Sequence, residues 1–224
     1  MIVKTCLQPP GNFGDSAINS YLVEKITGHK PQLVSISNRF NHMTNYIISG
    51  SILASTDEKS IVWGAGFLGK EDKVRAKPKR VFAVRGKLTR QKLLDQGVEC
   101  PEVYGDPALL MPRFYKPDVT RGSKVGLVPH YIDMEYARNI SKEQGYKLIK
   151  ICSGAENVID EIYACDFILS SSLHGLIIAD AYGIPACWIK LSNNLKGNDF
   201  KFVDYYSTRK NVDLDKLWEA CPFK

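Results

Sequence analysis

The sequence predicts an α/β protein built from two small Rossmann-like halves with parallel sheets, and three observations carry that prediction. Short β-branched or aromatic runs alternate along the chain with longer segments of helical period, the rhythm of parallel strands covered by crossover helices. Apolar runs such as FIL at 167–169 and ACWI at 186–189 lack polar alternation, as strands buried on both faces do. The turns after the predicted strands are rich in glycine, hydroxyls and cations, and in parallel α/β sheets ligands bind at those turns.

In the first half, strands are predicted at 2–7, 32–36, 46–48, 60–63 and 80–84, with a further short one at 102–104. Between them, SAINSYLVEKIT at 16–27 places Ile18, Leu22, Val23 and Ile26 on one helix face. A second helix at 87–96 stops before Gly97. The second half repeats the pattern, with strands at 124–128, 147–152, 167–169 and 186–189. Its helices are predicted at 134–144, stopped by Gly145, and at 155–164 and 173–182. MPRFYKPDVTRGSK, with two prolines, a glycine and several charges, reads as the linker. The halves are therefore placed at 1–114 and 121–190, followed by a tail at 191–224 with a helix at 213–220.

Bulk properties narrow the class of protein. At 224 residues, 44% hydrophobic and 24% charged, the chain has the composition of a soluble globular protein. No apolar run is long enough to cross a bilayer, and the N-terminus shows no cleavage-site pattern, so a cytoplasmic protein is expected. Six cysteines are scattered without a C-x-x-C pair and read as reduced, mostly buried thiols. No acidic or Cys/His cluster suggests a metal. The net charge of +6 is concentrated at 70–92, where ten cations face only Glu71 and Asp72. Such a stretch favours anionic partners: phosphorylated small molecules, lipid head groups or nucleic acid.

The predicted turns supply the candidate site residues. GNFGD follows the first strand, with Asp15 equally suited to capping the next helix and to touching a ligand. GAGFLG has the spacing of G-x-G-x-x-G at Gly64, Gly66 and Gly69, yet KEDKVRAKPKR rather than a packed helix follows it. Glycine permitting close approach is the reading kept there. Arg85 closes a buried strand before Gly86 and a helix, where it could fork onto a carboxylate or phosphate or form an interdomain salt bridge. Asp106 in YGDPALL orders a turn or orients a cation. His29 and His42 fall in polar loops, whereas His130 and His174 follow strands. His174 lies in a first helical turn after Ser170, Ser171 and Ser172, which can cap that helix and bind an anion. A histidine there can give or take a proton near neutral pH. No G-x-S-x-G elbow is present for a serine nucleophile.

Taken in order, GNFGD, VWGAGF, AVRG with Leu88 and Thr89, GDPALL, GLVPHY, SSSLHGLIIADAYGIPACWI and KFVDYYS resemble the polysaccharide pyruvyltransferase family, in its exopolysaccharide and capsule branch. The resemblance implies a GT-B-like arrangement with a cleft between the halves and the tail packing back near it. It implies transfer of pyruvate from phosphoenolpyruvate to a sugar of a cell-surface repeat unit, leaving a ketal and phosphate. By resemblance His174 is the catalytic acid and Arg85 an anion clamp. Asn12, Gly14, Asp15, Gly64, Gly66, Ser171, Ser172, Leu173, Gly175 and Lys201 would bind the donor, with His130, Asp106 and Lys190 on the acceptor side or in support.

Many family members carry an arginine where this chain has Ser172, so another group must balance one donor charge. Lys201 is the first candidate, then Lys190, then His130. No cofactor, metal or nucleic-acid partner is implied. The acceptor would be a lipid-linked oligosaccharide, met at the inner face of the plasma membrane, where the basic stretch could touch anionic lipid. Two other readings stand beside this one. A sugar-nucleotide-dependent glycosyltransferase of the same architecture would need an acidic ribose partner, and Asp180, the acidic residue early after the Leu-His-Gly motif, is expected to face structure. The other reading is a non-catalytic anion-binding relative.

Overall fold

The computed structural model describes residues 1–6, 13–38, 43–194 and 199–224, except the side chain of Asp15. Two compact units divide the chain: Met1–Pro107 together with Lys196–Lys224, and Ala108–Leu195. The division precedes the proline-rich sequence at 111–124, whose first residues end a 3₁₀ turn, Pro107–Arg113, that is buried through Met111.

The first unit holds β1 (Ile2–Thr5), β2 (Gln32–Ser35), β3 (Asn45–Ile47), β4 (Ser60–Trp63) and β5 (Arg80–Ala83). They form a wholly parallel sheet in the order β2-β1-β3-β4-β5. Ile2 pairs with Gln32 on one side and Asn45 on the other, so the winding reverses between β1 and β3. A π-helical turn at Phe13–Ile18 leads into α1 (Asn19–Thr27), and α2 (Lys87–Asp95) follows β5. Asp15 therefore lies inside a helical turn rather than ahead of it, which corrects the capping alternative. The expected strand at 102–104 is reduced to a single parallel bridge between Val84 and Tyr104. Ile47, Leu53, Val62, Phe67, Val84 and Leu93 are among the residues of the unit's core.

One buried charge organises the edge of that core. Lys4 of β1 is fully buried, and its ammonium donates to the Ser55 carbonyl at 3.1 Å and to Asp57 Oδ2 at 2.5 Å. Asn45 Nδ2 and the Lys59 N–H also donate to Asp57. Burial alone would raise the Asp57 carboxyl, but the bonds from Lys4, Asn45 and Lys59 outweigh it and hold the group below its ordinary value of 3.8.

The second unit holds β6 (Val125–Val128), α3 (Met134–Gln144), β7 (Lys147–Leu148), α4 (Ala155–Tyr163), β8 (Phe167–Ser170), α5 (Leu173–Ala181) and β9 (Ala186–Trp188). Its sheet is also parallel, in the order β7-β6-β8-β9, so the winding reverses between β6 and β8. Every residue of α5 from Leu173 to Ala179 is buried, as its nearly continuous apolar sequence requires. It packs on α4, β8 and β9.

Two strands differ from expectation because of their place in this sheet. β7 ends at Leu148 rather than 152, since it has only β6 to pair with and the chain turns at Lys150–Ser153. β9 is the outer strand on the other side, with Cys187 exposed and Ala186 and Trp188 half-buried, so its apolar run is not covered on both faces.

The C-terminal segment returns to the first unit as α6 (Phe200–Tyr206) and α7 (Leu214–Glu219). Trp63 Nε1 donates to the Leu217 carbonyl at 3.1 Å, and the Phe223 ring packs against Tyr46 and Trp63 at 4.9 and 5.8 Å. Among the described residues no helix is long and apolar enough to cross a membrane.

Candidate functional site

The reversal between β6 and β8 brings together the turns that carry His130 and Ser171–Gly175. Ser171 Oγ accepts from the His130 N–H at 2.9 Å and donates to Asp133 Oδ2 at 2.8 Å. Ser192, beyond β9, donates to the other oxygen of the same carboxylate at 2.5 Å. Asp133, only 2% exposed, thus pins three loops at one end of the sheet. It was not singled out from the sequence, where YIDMEY offers only a helix-start acid. The Ile132 N–H approaches His130 Nδ1 at 3.4 Å, and the imidazole lies 4.4 Å from the Tyr131 ring.

At the head of α5, Ser172 is the N-cap in extended backbone, but its side chain makes no capping hydrogen bond. The expected hydroxyl cap from Ser172 is absent, and the neighbouring serines bond elsewhere. Ser170 Oγ approaches the carbonyls of Val128 and Ser172 at 2.9 and 2.8 Å and accepts from the Ser172 N–H. The first turn of α5 forms the positive end of the helix dipole, and Ser172 does not cap it through its side chain. His174 stands in this first turn, 7% exposed. Gly175 is required by packing, since a Cβ there would lie 2.3 Å from Ser170 Oγ and 2.8 Å from Val128 Cγ1. Leu173 is buried beside it.

In the first unit, Arg85 is wholly buried. Its Nε donates to Asp204 Oδ2 at 2.9 Å, Nη1 to Ser51 Oγ at 2.8 Å and Nη2 to the Phe67 carbonyl at 2.7 Å. Asp204 accepts in addition from the Thr89 N–H and hydroxyl, at 2.8 and 2.7 Å. The guanidinium expected to grip an anion thus makes its salt bridge within its own unit, to α6. Gly66 and Gly86 make room for this knot: a Cβ on Gly66 would lie 2.4 Å from Arg85 Cζ, and one on Gly86 would lie 2.0 Å from the Asp204 carbonyl oxygen. Gly64, at φ +91°, is similarly closed by Pro107, whose Cδ would lie 2.1 Å from an added Cβ. These glycines therefore permit close approach of the protein to itself. Asp204 lies 119 residues from Arg85 in sequence, so sequence order gave no sign of the network that it forms with Ser51 and Thr89.

The remaining candidates fall as follows. The Gly14 carbonyl accepts from Ser49 Oγ at 3.0 Å, in a group completed by Asn19 Oδ1. Asn12 and His42 lie outside the described residues. Asp106 is fully buried, and Lys201 is 7% exposed with its ammonium 5.2 Å from the Phe202 ring centroid. Lys190 and His29 are exposed, while His130 is half-buried. All six cysteines are free thiols: three are buried, Cys6 and Cys152 are intermediate, and Cys187 is exposed. Among the described residues no three His, Cys, Asp or Glu side chains are grouped to hold a metal.

Two wholly parallel sheets, each with a reversal in strand order, define an α/β protein of two Rossmann-like halves. Comparison with known proteins narrows this. Residues 12–193 match the model of the family described as polysaccharide pyruvyl transferase, and the chain belongs to that family. It is 28% identical over 219 residues to a protein of Acanthamoeba polyphaga mimivirus, spanning 94% of this chain and 75% of that one. It is 26% identical over 208 residues to the succinoglycan biosynthesis protein ExoV of Rhizobium meliloti, spanning 88% of this chain and 61% of the relative. Family membership makes the chain a transferase of polysaccharide biosynthesis.

Proposed function

We propose that the protein transfers pyruvate from phosphoenolpyruvate to a sugar of a cell-surface polysaccharide repeat unit, forming a ketal and releasing phosphate. The observation that supports this most is the place of His174, a residue type able to give or take a proton, in the first turn of α5 beside the Ser171–Asp133–His130 loops. That turn offers dipole and N–H groups to an anionic donor and an acid to its enol carbon.

His174 gives its proton to the methylene carbon, generating an oxocarbenium-like centre at the phosphate-bearing carbon. A sugar hydroxyl attacks that centre and returns its proton to His174. The carbon–oxygen bond to phosphate then breaks with its electron pair on phosphate, and a second hydroxyl closes the ketal. The second hydroxyl proton leaves with phosphate, so atoms and charge balance. Asp133 acts through position, holding the loops around the turn. Arg85 supports the fold of the Gly64–Phe67 loop in this scheme, which leaves Lys201, Lys190 and His130 as the cations proposed to balance the donor where Ser172 replaces an arginine. The acceptor is proposed to be lipid-linked and met at the cytoplasmic face of the membrane.

The test is incubation with phosphoenolpyruvate and a panel of acceptor glycans, following phosphate release and a pyruvyl mass gain together. Donor-dependent gain of both supports the reading. No reaction across the panel, with no donor-dependent thermal shift, contradicts it.

A further inference from the structure

Away from those turns, a cavity of about 810 Å³ opens where β5 begins and α2 ends, lined in part by Lys77, Lys79, Arg80, Phe82, Leu94 and Glu99. It lies at the amino-terminal side of the first sheet, whereas Gly64 and Arg85 follow the carboxyl ends of its strands. Lys77, Lys79 and Arg80 are exposed and make no ion pair among the described residues. Glu99 is the single carboxylate among the described lining residues.

Two of the three cations pack against neighbouring groups. The Arg80 guanidinium lies 4.5 Å from the Phe82 ring centroid. Lys77 Nζ reaches over Gly97, within 3.2 Å of where a Cβ would stand. The backbone contributes too. β5 is the outermost strand of its sheet, and Val84 just beyond it turns outward to accept from Gly105 and donate to Val103. Phe82, two residues earlier, presents its N–H and C=O to the same side. Neither group has a backbone partner there among the described residues.

We propose that this cavity is a docking site for an acidic oligosaccharide segment. Carboxylates on such a segment meet Lys77, Lys79 and Arg80, while sugar hydroxyls, each donor and acceptor, serve the open backbone groups of Phe82. The volume falls in the range of sites that enclose a ligand of several rings, and far exceeds one phosphate. The concave shape and its open backbone groups favour a glycan over a flat bilayer surface. The choice of a glycan rests on the proposed reaction, whose product carries a new carboxylate; a site for acidic glycan would retain that product chain while the turns act on the next unit.

Binding of the full chain is measured calorimetrically with a polyglucuronate hexasaccharide, a dextran hexasaccharide, inorganic phosphate and phosphatidylglycerol vesicles. The wild type is expected to bind the acidic hexasaccharide at least about tenfold more tightly than the neutral one, less tightly as salt rises. Lys77→Glu/Lys79→Glu/Arg80→Glu should lose that preference while keeping its melting temperature, and Lys77→Gln/Lys79→Gln should weaken it with less risk to folding. Undiminished acidic-glycan binding in both variants, equal binding of dextran, or dependence of only vesicle or phosphate binding on these cations overturns the proposal. Pyruvyl transfer to a short acceptor is assayed in parallel. Its absence would count against the reaction alone, whereas variant-sensitive glycan binding would still support the groove.

Discussion

At the scale of single residues, burial decides which groups are chemically available. Burial pushes the Cys100 thiol up to about 12, against a smaller opposing effect of the Arg90 charge, so it is inert as a nucleophile. Cys187 is exposed on the outer strand. A thiol-specific disulfide reagent should modify Cys187 first in the native protein and Cys100 only on unfolding; rapid native labelling of Cys100 would contradict the packing. The same logic applies to Gly86, where an added methyl group meets Asp204 backbone oxygen at 2.0 Å. Gly86→Ala should cost about 1–3 kcal/mol of stability, by the usual effect of overpacking, read as a lowered urea midpoint. An unchanged midpoint would show that α6 can give way.

Secondary-structure elements carry the next level of the argument. Strands were legible because β-branched runs stood between glycines and charged turns, and α3 was found at its full length because Gly145 closes it in the left-handed conformation. Edge status was not legible, since it depends on which strand stands alongside; hence the shortened β7 and the exposed face of β9. Helix α6 was missed. FKFVDYY is rich in aromatic and β-branched residues of middling helix propensity, and its helix is fixed by tertiary bonds from Arg85 and Thr89 to Asp204. Those bonds tie α6 to α2. Asp204→Ala should therefore cost about 3–5 kcal/mol, as loss of one partner from a buried ion pair does. A change under about 1 kcal/mol would show that the pair contributes little.

For the molecule as a whole, the pairing of motifs far apart in sequence explains the fold division. The C-terminal segment belongs with the first unit because Asp204, Leu217 and Phe223 bond or pack with Arg85, Trp63 and Tyr46. Sequence order alone suggested a tail. Of the candidate site, the strand-end turns around His130 and His174 were legible from motif order, while Asp133 and the Arg85 network needed long-range geometry.

Global stability should also carry the signature of the Lys4–Asp57 pair. The folded Asp57 pKa lies below its ordinary 3.8, so its contribution is complete above about that value and is lost as pH falls through the lower folded value. Urea midpoints measured from neutral pH down past 3.8 should fall more steeply for the wild type than for Asp57→Asn. Parallel curves would contradict the linkage.

The central claim is donor-dependent pyruvyl transfer with His174 as the acid. It is tested most directly by measuring phosphate release and ketal formation for the wild type and His174→Ala on the same acceptor. The wild type should form both products in equal amounts, and His174→Ala should lose about 10²–10⁴ in rate with its melting temperature retained. Full activity in a folded His174→Ala would contradict the assignment of the acid, and a wild type inert toward phosphoenolpyruvate would contradict the proposed reaction.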